Sequence, residues 1–186
     1  MPHRVCPWWL GYFLASPVRR WFEDPVEPIV SHAREGMTVL EPGPGMGFFT
    51  LELARRAGPS GRVVAPDIQP KMLASLRRRA AKAGLDGRID ARLARPDSLC
   101  IDDLAGQVDF TLAAAMIHEL ENQPAFFAEV ARALKPGGRM LVLEPNGHVT
   151  EEEFTRELDL AANAGLRLVD RPVSKRSRAA LLEKAR

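Results

Sequence analysis

The segment from residue 37 to 67 constrains the fold most strongly, because it reads as a strand, a glycine-rich turn, a helix and a second strand in direct succession. An apolar run at 37–41 leads into a turn with glycines at positions 43, 45 and 47. Residues 48–57 carry apolar side chains at the spacing of a helix that packs on a sheet, and 62–67 is the next strand-like run. This order predicts a βαβ unit of a parallel sheet with helices on its faces.

Two carboxylates flank this unit and indicate what it binds. Asp67 follows the last glycine by about 20 residues, where a doubly wound fold places the acid that binds ribose hydroxyls. Glu41 precedes the first glycine, where its charge would repel a pyrophosphate but attract a sulfonium and an ammonium. A dinucleotide fingerprint starting at Gly43 would require glycine at the position of Phe48. The pattern therefore favours S-adenosylmethionine over NAD.

The segment 39–47 resembles the first motif of class I S-adenosylmethionine-dependent methyltransferases, and three later segments agree with it in order. Residues 64–73 resemble the second-strand acid and the helix start after it, although Pro66 replaces an apolar strand residue. Residues 108–120 resemble the fourth strand and the loop above the cofactor, and 131–144 resemble the turn into the fifth strand. The resemblance is closest to the broad group of quinone-pathway, sterol-type and arsenite methyltransferases.

The resemblance implies an α/β fold, a three-layer, Rossmann-like, doubly wound sheet of seven strands that is mostly parallel with a final antiparallel strand. It also implies S-adenosylmethionine as cofactor and S-adenosylhomocysteine as product. Glu41 would hold the methionine end, Asp67 the ribose, and Asp97 with Ser98 the adenine. Asp97 could instead be a turn residue or a helix cap. The expected cofactor-binding residues are Glu41, Gly43, Pro44, Gly45, Gly47, Asp67, Ile68, Asp97, Ser98 and Ala114.

Polar residues after the fourth and fifth strands are the candidates for catalysis and for substrate contact. His118 and Glu119 follow the fourth strand, where the His118 imidazole could deprotonate an oxygen or sulfur nucleophile. The alternative is that His118 orients the substrate or bonds a neighbouring loop. Substrate contacts are expected from Glu144, Asn146 and His148, whose alternative role is loop hydrogen bonding.

The first thirty residues are rich in aromatic side chains and form a separate segment. We interpret 1–30 as a lid or cap and 31–186 as the cofactor-binding domain, with Tyr12 as a further substrate contact. The segment could also contact a membrane surface or pack on the sheet edge. It imitates a signal peptide only superficially, and its apolar run is too short to span a bilayer.

Composition limits the other classes of function. The 186 residues, 46% of them hydrophobic, fit one ordinary domain. The net charge of +2 does not indicate binding to nucleic acid. Residues 113–116 also lack the segment with which amino-methylating nucleic-acid enzymes hold a flipped base. Two scattered cysteines suggest neither a metal site nor a disulfide framework, so a cytoplasmic location is expected.

The function predicted is methyl transfer by in-line displacement to an O, S, N or C nucleophile of a small molecule, with a lipophilic acceptor favoured by the aromatic segment. Two alternatives stay open. One is a non-catalytic S-adenosylmethionine-binding protein. The other is an NAD(P)-dependent oxidoreductase, which Phe48 and the missing Tyr-x-x-x-Lys pair disfavour.

The remaining elements follow from periodicity and turn residues. Helices are predicted at 70–83 and 126–134, a strand at 88–93, and a turn at 136–138. Thr150 is expected to open a helix that Gly165 closes. Strands are then predicted at 166–173 and 178–182, the latter also compatible with a helix.

Overall fold

The computed structural model describes residues 31–185. The predicted lid at 1–30, and with it Tyr12, lies outside the described residues. One mixed sheet runs through the described part of the chain. Its strands are β1 (Thr38–Leu40), β2 (Arg62–Asp67), β3 (Ile89–Leu93), β4 (Val108–Ala114), β5 (Leu134–Pro145), β6 (Leu166–Asp170) and β7 (Ser177–Lys184).

The strand order is β3-β2-β1-β4-β5-β7-β6, so the chain winds outward in both directions from β1. The first five strands pair in parallel, and β7 runs antiparallel to both of its neighbours, β5 and β6. The order reverses between β1 and β4, and in such sheets ligands bind beyond the carboxyl ends of the strands at that reversal. The predicted α/β sheet of seven strands is confirmed.

Helices cover both faces of the sheet and divide the core into two clusters. They are α1 (Thr50–Ala57), α2 (Pro70–Lys82), α3 (Gln123–Ala133) and α4 (Glu151–Asn163). Successive residues of β5 alternate between the clusters, with Met140 and Val142 in one and Leu141 and Leu143 in the other, as the two-residue period of a strand requires. This alternation confirms the predicted three layers.

Two predicted helix starts need correction. Helix α1 begins at Thr50 rather than at 48, because Phe48 and Phe49 still belong to the glycine turn. Helix α3 begins at Gln123 rather than at 126, because the Asn122 side chain caps it by accepting from the Ala125 N–H. The first turn of α3 shows little apolar periodicity. The hydrophobic pattern alone therefore predicted a helix start that is too late in the sequence.

The predicted turn at 136–138 lies inside the bounds of β5 as a bulge. Val108 of β4 pairs with Leu134, and Phe110 pairs with Arg139, so β5 carries surplus residues between the two pairs. The last segment is strand β7, which removes the helical alternative for 178–182. Strand β6 ends at Asp170, earlier than predicted.

Helix α4 begins as the sequence indicates. Thr150 and Glu153 form a capping box, in which each side chain bonds the backbone N–H of the other residue. Gly165 follows the helix with a φ of 88°, a conformation that suits glycine. Across residues 31–185, no helix is both long enough and apolar enough to cross a membrane.

Candidate active site

A cavity of about 270 Å³ opens at the carboxyl ends of β1, β2 and β4. The turn between β1 and α1 forms its floor, and the turn after β4 forms one wall. The segment from the end of β2 into α2, the loop after β3 and the first turns of α3 also line it. The sheet order thus brings together segments that are far apart in the chain, at the place where this fold binds ligands.

The glycine turn is shaped by close packing on two sides and open space between them. A Cβ atom on Gly47 would lie 2.4 Å from Leu76 Cδ1 of α2, and one on Gly43 would lie 3.2 Å from Met116 Cβ. Apart from Gly45 and its two chain neighbours, no described residue has an atom within 4 Å of the Cβ position of Gly45, which lines the cavity. The backbone at Gly45 can therefore be approached closely by a ligand.

Glu41 lies directly after β1, is 3% exposed and lines the cavity. Its Oε2 atom has no hydrogen-bond partner among the described residues. Burial raises the pKa of Glu41 to about 8, with the neighbouring Thr50 hydroxyl acting in the opposite direction and the charge of Asp67 adding a smaller increase. A buried carboxylate oxygen without a partner is costly, and a cationic ligand group in the cavity would stabilise its charged form. This fits the ammonium and sulfonium of S-adenosylmethionine.

Asp67 ends β2 and fastens the glycine turn. Its Oδ2 accepts from the Gly45 N–H at 3.2 Å, and its Oδ1 accepts from the Gln69 N–H at 2.8 Å. Burial raises the pKa of Asp67 to about 6, against the effect of those two N–H donors. Each carboxylate oxygen can accept a second bond, so the group still fits a pair of ribose hydroxyls. Ile68 and Pro44 also line the cavity.

Asp97 and Ser98 both line the cavity, but in different ways. Asp97 is exposed and pairs with Arg95 at 3.2 Å within a tight turn. These contacts agree with the alternative that Asp97 is a turn residue. Ser98 Oγ donates to Glu129 Oε2, which also accepts from the Leu99 N–H at 3.0 Å. The roles predicted for Asp97 and Ser98 toward adenine stay predictions.

The turn after β4 separates the two predicted catalytic residues. It follows Ala114, the last residue of β4, and contains the left-handed Ala115 with a φ of 56° and a short 3-10 helix over Ile117–Glu119. Glu119 and Ala114 are among the described residues that line the cavity, whereas His118 is not. The His118 Nδ1 atom hydrogen-bonds Glu144, and this bond raises the pKa of His118. The alternative reading of His118, a bond to a neighbouring element, matches its position.

The residues predicted to contact substrate lie behind that turn. Glu144 is fully buried, Asn146 accepts from Arg178 at 3.0 Å, and the His148 ring lies 5.4 Å from that of His118. None of the three is among the described residues that line the cavity. Their alternative role as loop hydrogen-bonding groups agrees with these contacts better than direct contact with a substrate in this cavity.

Sequence reasoning missed several residues of the cavity wall. Glu129 reaches the cavity from α3, and no short motif marks it, because only the tertiary fold brings it beside Ser98. Much of the wall is apolar. The additional apolar and aromatic lining residues are Met46, Phe48, Phe49, Met72, Leu99, Met116, Leu120 and Phe126.

Comparison with known proteins agrees with this geometry. The model of the family described as a methyltransferase domain matches residues 33–185. The chain belongs to this methyltransferase domain family. It is 32% identical over 126 residues to the ubiquinone/menaquinone biosynthesis C-methyltransferase UbiE of Hydrogenovibrio crunogenus, with 68% of this chain and 48% of that protein covered. The same protein of Shewanella pealeana is also 32% identical, with 68% and 49% covered. The chain thus spans about half the length of these curated relatives.

Solved structures share the fold. A SAM-dependent methyltransferase from Aquifex aeolicus has a TM-score of 0.83 at 25% identity, with 96% of this chain and 99% of that one covered. A SAM-dependent O-methyltransferase from Thermotoga maritima has a TM-score of 0.68 at 19% identity, with 91% and 66% covered, and supports the fold alone. Family and fold confirm the predicted methyltransferase class and its cofactor, S-adenosylmethionine, and leave no support for the NAD(P)-dependent alternative.

Proposed function

We propose that the protein transfers a methyl group from S-adenosylmethionine to a small lipophilic acceptor, and that the acceptor atom is a ring carbon of a quinone-type molecule. The observation that carries the cofactor half of this proposal is Glu41, a buried carboxylate with an unpartnered oxygen on the wall of a glycine-floored cavity. The acceptor half rests on the names of the curated relatives and on the apolar cavity wall.

The cofactor supplies a methyl group on a positively charged sulfur. Around it, Glu41 would stabilise positive charge at the methionine end, and the backbone at Gly45 would permit close approach. Asp67 would accept hydrogen bonds from ribose hydroxyls while keeping the Gly45 and Gln69 contacts. The described residues thus mainly bind and orient, and alignment alone contributes roughly 7–11 kcal/mol in well-oriented reactions.

A ring carbon becomes a good nucleophile when a neighbouring ring hydroxyl loses its proton. The carbon would then bond to the methyl group as the methyl–sulfur bond breaks and S-adenosylhomocysteine leaves, and loss of the hydrogen on that ring carbon as a proton would restore the aromatic ring. Glu119 is the better placed of the two predicted catalytic residues to accept or orient that proton, because it lines the cavity and His118 does not. Phe48, Met116 and Leu120 supply apolar surface that would exclude water from the same space. A ring acceptor with little charge suits these walls.

Binding of the cofactor comes first in the test. Calorimetric titration with S-adenosylhomocysteine is expected to give micromolar binding, while NADH gives none. Glu41→Gln should weaken binding strongly. Glu157→Gln serves as its matched control, because Glu157 is also a buried glutamate whose Oε2 has no described hydrogen-bond partner, but it is not among the described residues that line the cavity. Absence of S-adenosylhomocysteine binding by the wild-type protein would contradict the proposal.

The acceptor is tested next with three probes: 1,4-naphthohydroquinone, catechol and a hydrophilic thiol. Release of S-adenosylhomocysteine is followed, and the product is identified by mass spectrometry. We expect a C-methylated ring from the naphthohydroquinone. Preference for the thiol, or O-methylation of catechol alone, would rule out the proposed acceptor class. Cofactor binding without turnover of any probe would favour the non-catalytic binding protein.

A further inference from the structure

The turn after β4 contains a strained backbone conformation at a residue that is not glycine. Ala115 adopts a φ of 56°, a left-handed conformation that residues with a Cβ rarely take. Such conformations persist only where surrounding contacts hold them, and they cluster at functional sites. Ala115, Met116 and Glu119 of this turn line the cavity, so whatever holds the turn also sets the shape of the cavity wall.

Three successive backbone N–H groups of the turn bond to the end of β5. The Ala115 N–H donates to the Leu143 carbonyl oxygen at 2.7 Å. The N–H groups of Met116 and Ile117 both donate to Glu144 Oε1, at 3.3 and 2.9 Å. The other carboxylate oxygen, Oε2, hydrogen-bonds Nδ1 of His118. One side chain therefore bonds three consecutive residues of the turn.

The held turn touches the cofactor floor on its other side. Met116 packs so closely on the glycine turn that a Cβ on Gly43 would lie 3.2 Å from the Met116 Cβ. Glu144 itself is fully buried and lies outside the described lining of the cavity. Its influence on a bound ligand would pass through Met116 rather than through direct contact.

We propose that Glu144 is a positioning residue for the methyl-transfer site: its carboxylate fixes Met116, Ile117 and His118, and so holds Met116 against Gly43 in the binding-competent shape. The effect on cofactor binding rests on the proposed function, whereas the claim that Glu144 holds the turn rests on the hydrogen bonds. It assigns Glu144 to the protein framework instead of to the substrate.

Three variants of the full chain test it. Glu144→Leu keeps an apolar side chain of similar size but removes both acceptors. Glu144→Gln keeps one oxygen that can accept from Met116 and Ile117. Asp109→Ala is the matched control, because Asp109 also accepts from a strand backbone, the Thr38 N–H at 2.9 Å, but lies at the start of β4, away from the cavity.

Amide hydrogen exchange and S-adenosylhomocysteine calorimetry are the two measurements. In Glu144→Leu we expect faster exchange at Met116 and Ile117 and a Kd raised roughly ten- to a hundredfold, because both backbone N–H groups lose their buried acceptor. Glu144→Gln should restore slow exchange and bring the Kd close to that of the wild type. Asp109→Ala should speed exchange at Thr38 and leave the Kd unchanged.

Several results would overturn the inference. These are wild-type exchange at 116–117 in Glu144→Leu, an unchanged Kd in that variant, or an equal loss of affinity in Asp109→Ala. If Glu144→Leu does not fold, Glu144→Gln still decides, since loss of binding there contradicts the geometric argument. Failure of the proposed function is distinguishable, because a wild-type protein that binds no S-adenosylhomocysteine still reports on the turn through hydrogen exchange.

Discussion

Glu41 and Glu144 are both buried glutamates at the carboxyl ends of parallel strands, β1 and β5, yet the protein surrounds them differently. Glu144 accepts hydrogen bonds from two backbone N–H groups and bonds His118. Glu41 keeps an oxygen with no partner among the described residues and lines the cavity. The same residue type in similar burial thus bonds the backbone at the end of β5, whereas at the end of β1 it keeps an unpartnered oxygen that a cationic ligand group could stabilise.

The largest effect is expected at Glu41. Glu41→Gln keeps the shape of the side chain but removes the charge that would face an ammonium group, so the Kd for S-adenosylhomocysteine should rise about ten- to a hundredfold. Folding should not suffer, because no described hydrogen bond to Oε2 is lost. Calorimetry combined with urea unfolding measures both. A variant that binds as tightly as the wild type would remove the distinction between the two glutamates.

The second prediction, which also distinguishes Glu41 from Glu144, is that Glu41 releases a proton when a cationic ligand binds. In the free protein the pKa of Glu41 lies at about 8, so most molecules carry the proton at pH 7. A cationic ligand stabilises the charged form and lowers that pKa, so binding below pH 8 should release a proton. Affinity should then rise with pH from 6 to 8, by at most about tenfold per pH unit for one proton.

Titration with S-adenosylhomocysteine in phosphate and in Tris at pH 7 measures this release, because the two buffers differ in protonation enthalpy. Glu41→Gln is the control, in which the buffer dependence due to Glu41 should vanish. An identical heat in both buffers for the wild-type protein would show that Glu41 does not change its protonation on binding.

Near Glu144 and the turn after β4, a further buried carboxyl group, Glu157, has a raised pKa. This residue of α4 is 3% exposed, its Oε2 lacks a described hydrogen-bond partner, and burial together with the charge of Glu144 raises its pKa to about 8. The folded protein therefore binds a proton that the unfolded chain has already lost above its ordinary pKa. Stability should fall as the pH rises from about 5 to 8, by at most about 1.4 kcal/mol per pH unit.

Glu157→Gln removes this proton, so its free energy of unfolding should depend less on pH over that range than the wild type's. Urea unfolding at several pH values measures the slopes. His118, whose pKa is raised mainly by its bond to Glu144, works in the same direction, since the stability it contributes is lost as the pH rises through its folded-state pKa. The combination with His118→Ala separates the two groups. Equal slopes in wild type and Glu157→Gln would contradict the assignment.

The sequence allowed the floor of the site to be predicted more fully than its walls. Glu41, the glycines and Asp67 lie within one βαβ unit, where local chemistry dictates both the fold and the position of each group. Glu144 and Glu129 depend on tertiary contacts with the turn after β4 and with the loop after β3. No local pattern distinguishes a buried carboxylate that binds backbone from one that binds a ligand. Glu144 was therefore expected to contact substrate.

The smallest effect is expected at Asp97, which tests whether the exposed rim of the cavity belongs to the binding site at all. Its pairing with Arg95 is exposed, and such pairs contribute little to stability, so Asp97→Asn should leave the urea midpoint unchanged. If Asp97 faces adenine, the Kd for S-adenosylhomocysteine should still rise a fewfold, because the side chain must leave Arg95 to accept a hydrogen bond from the base. An unchanged Kd would show that Asp97 is only a turn residue. Of the carboxylates discussed, only the buried Glu41 and Asp67 would then be expected to contribute to cofactor binding.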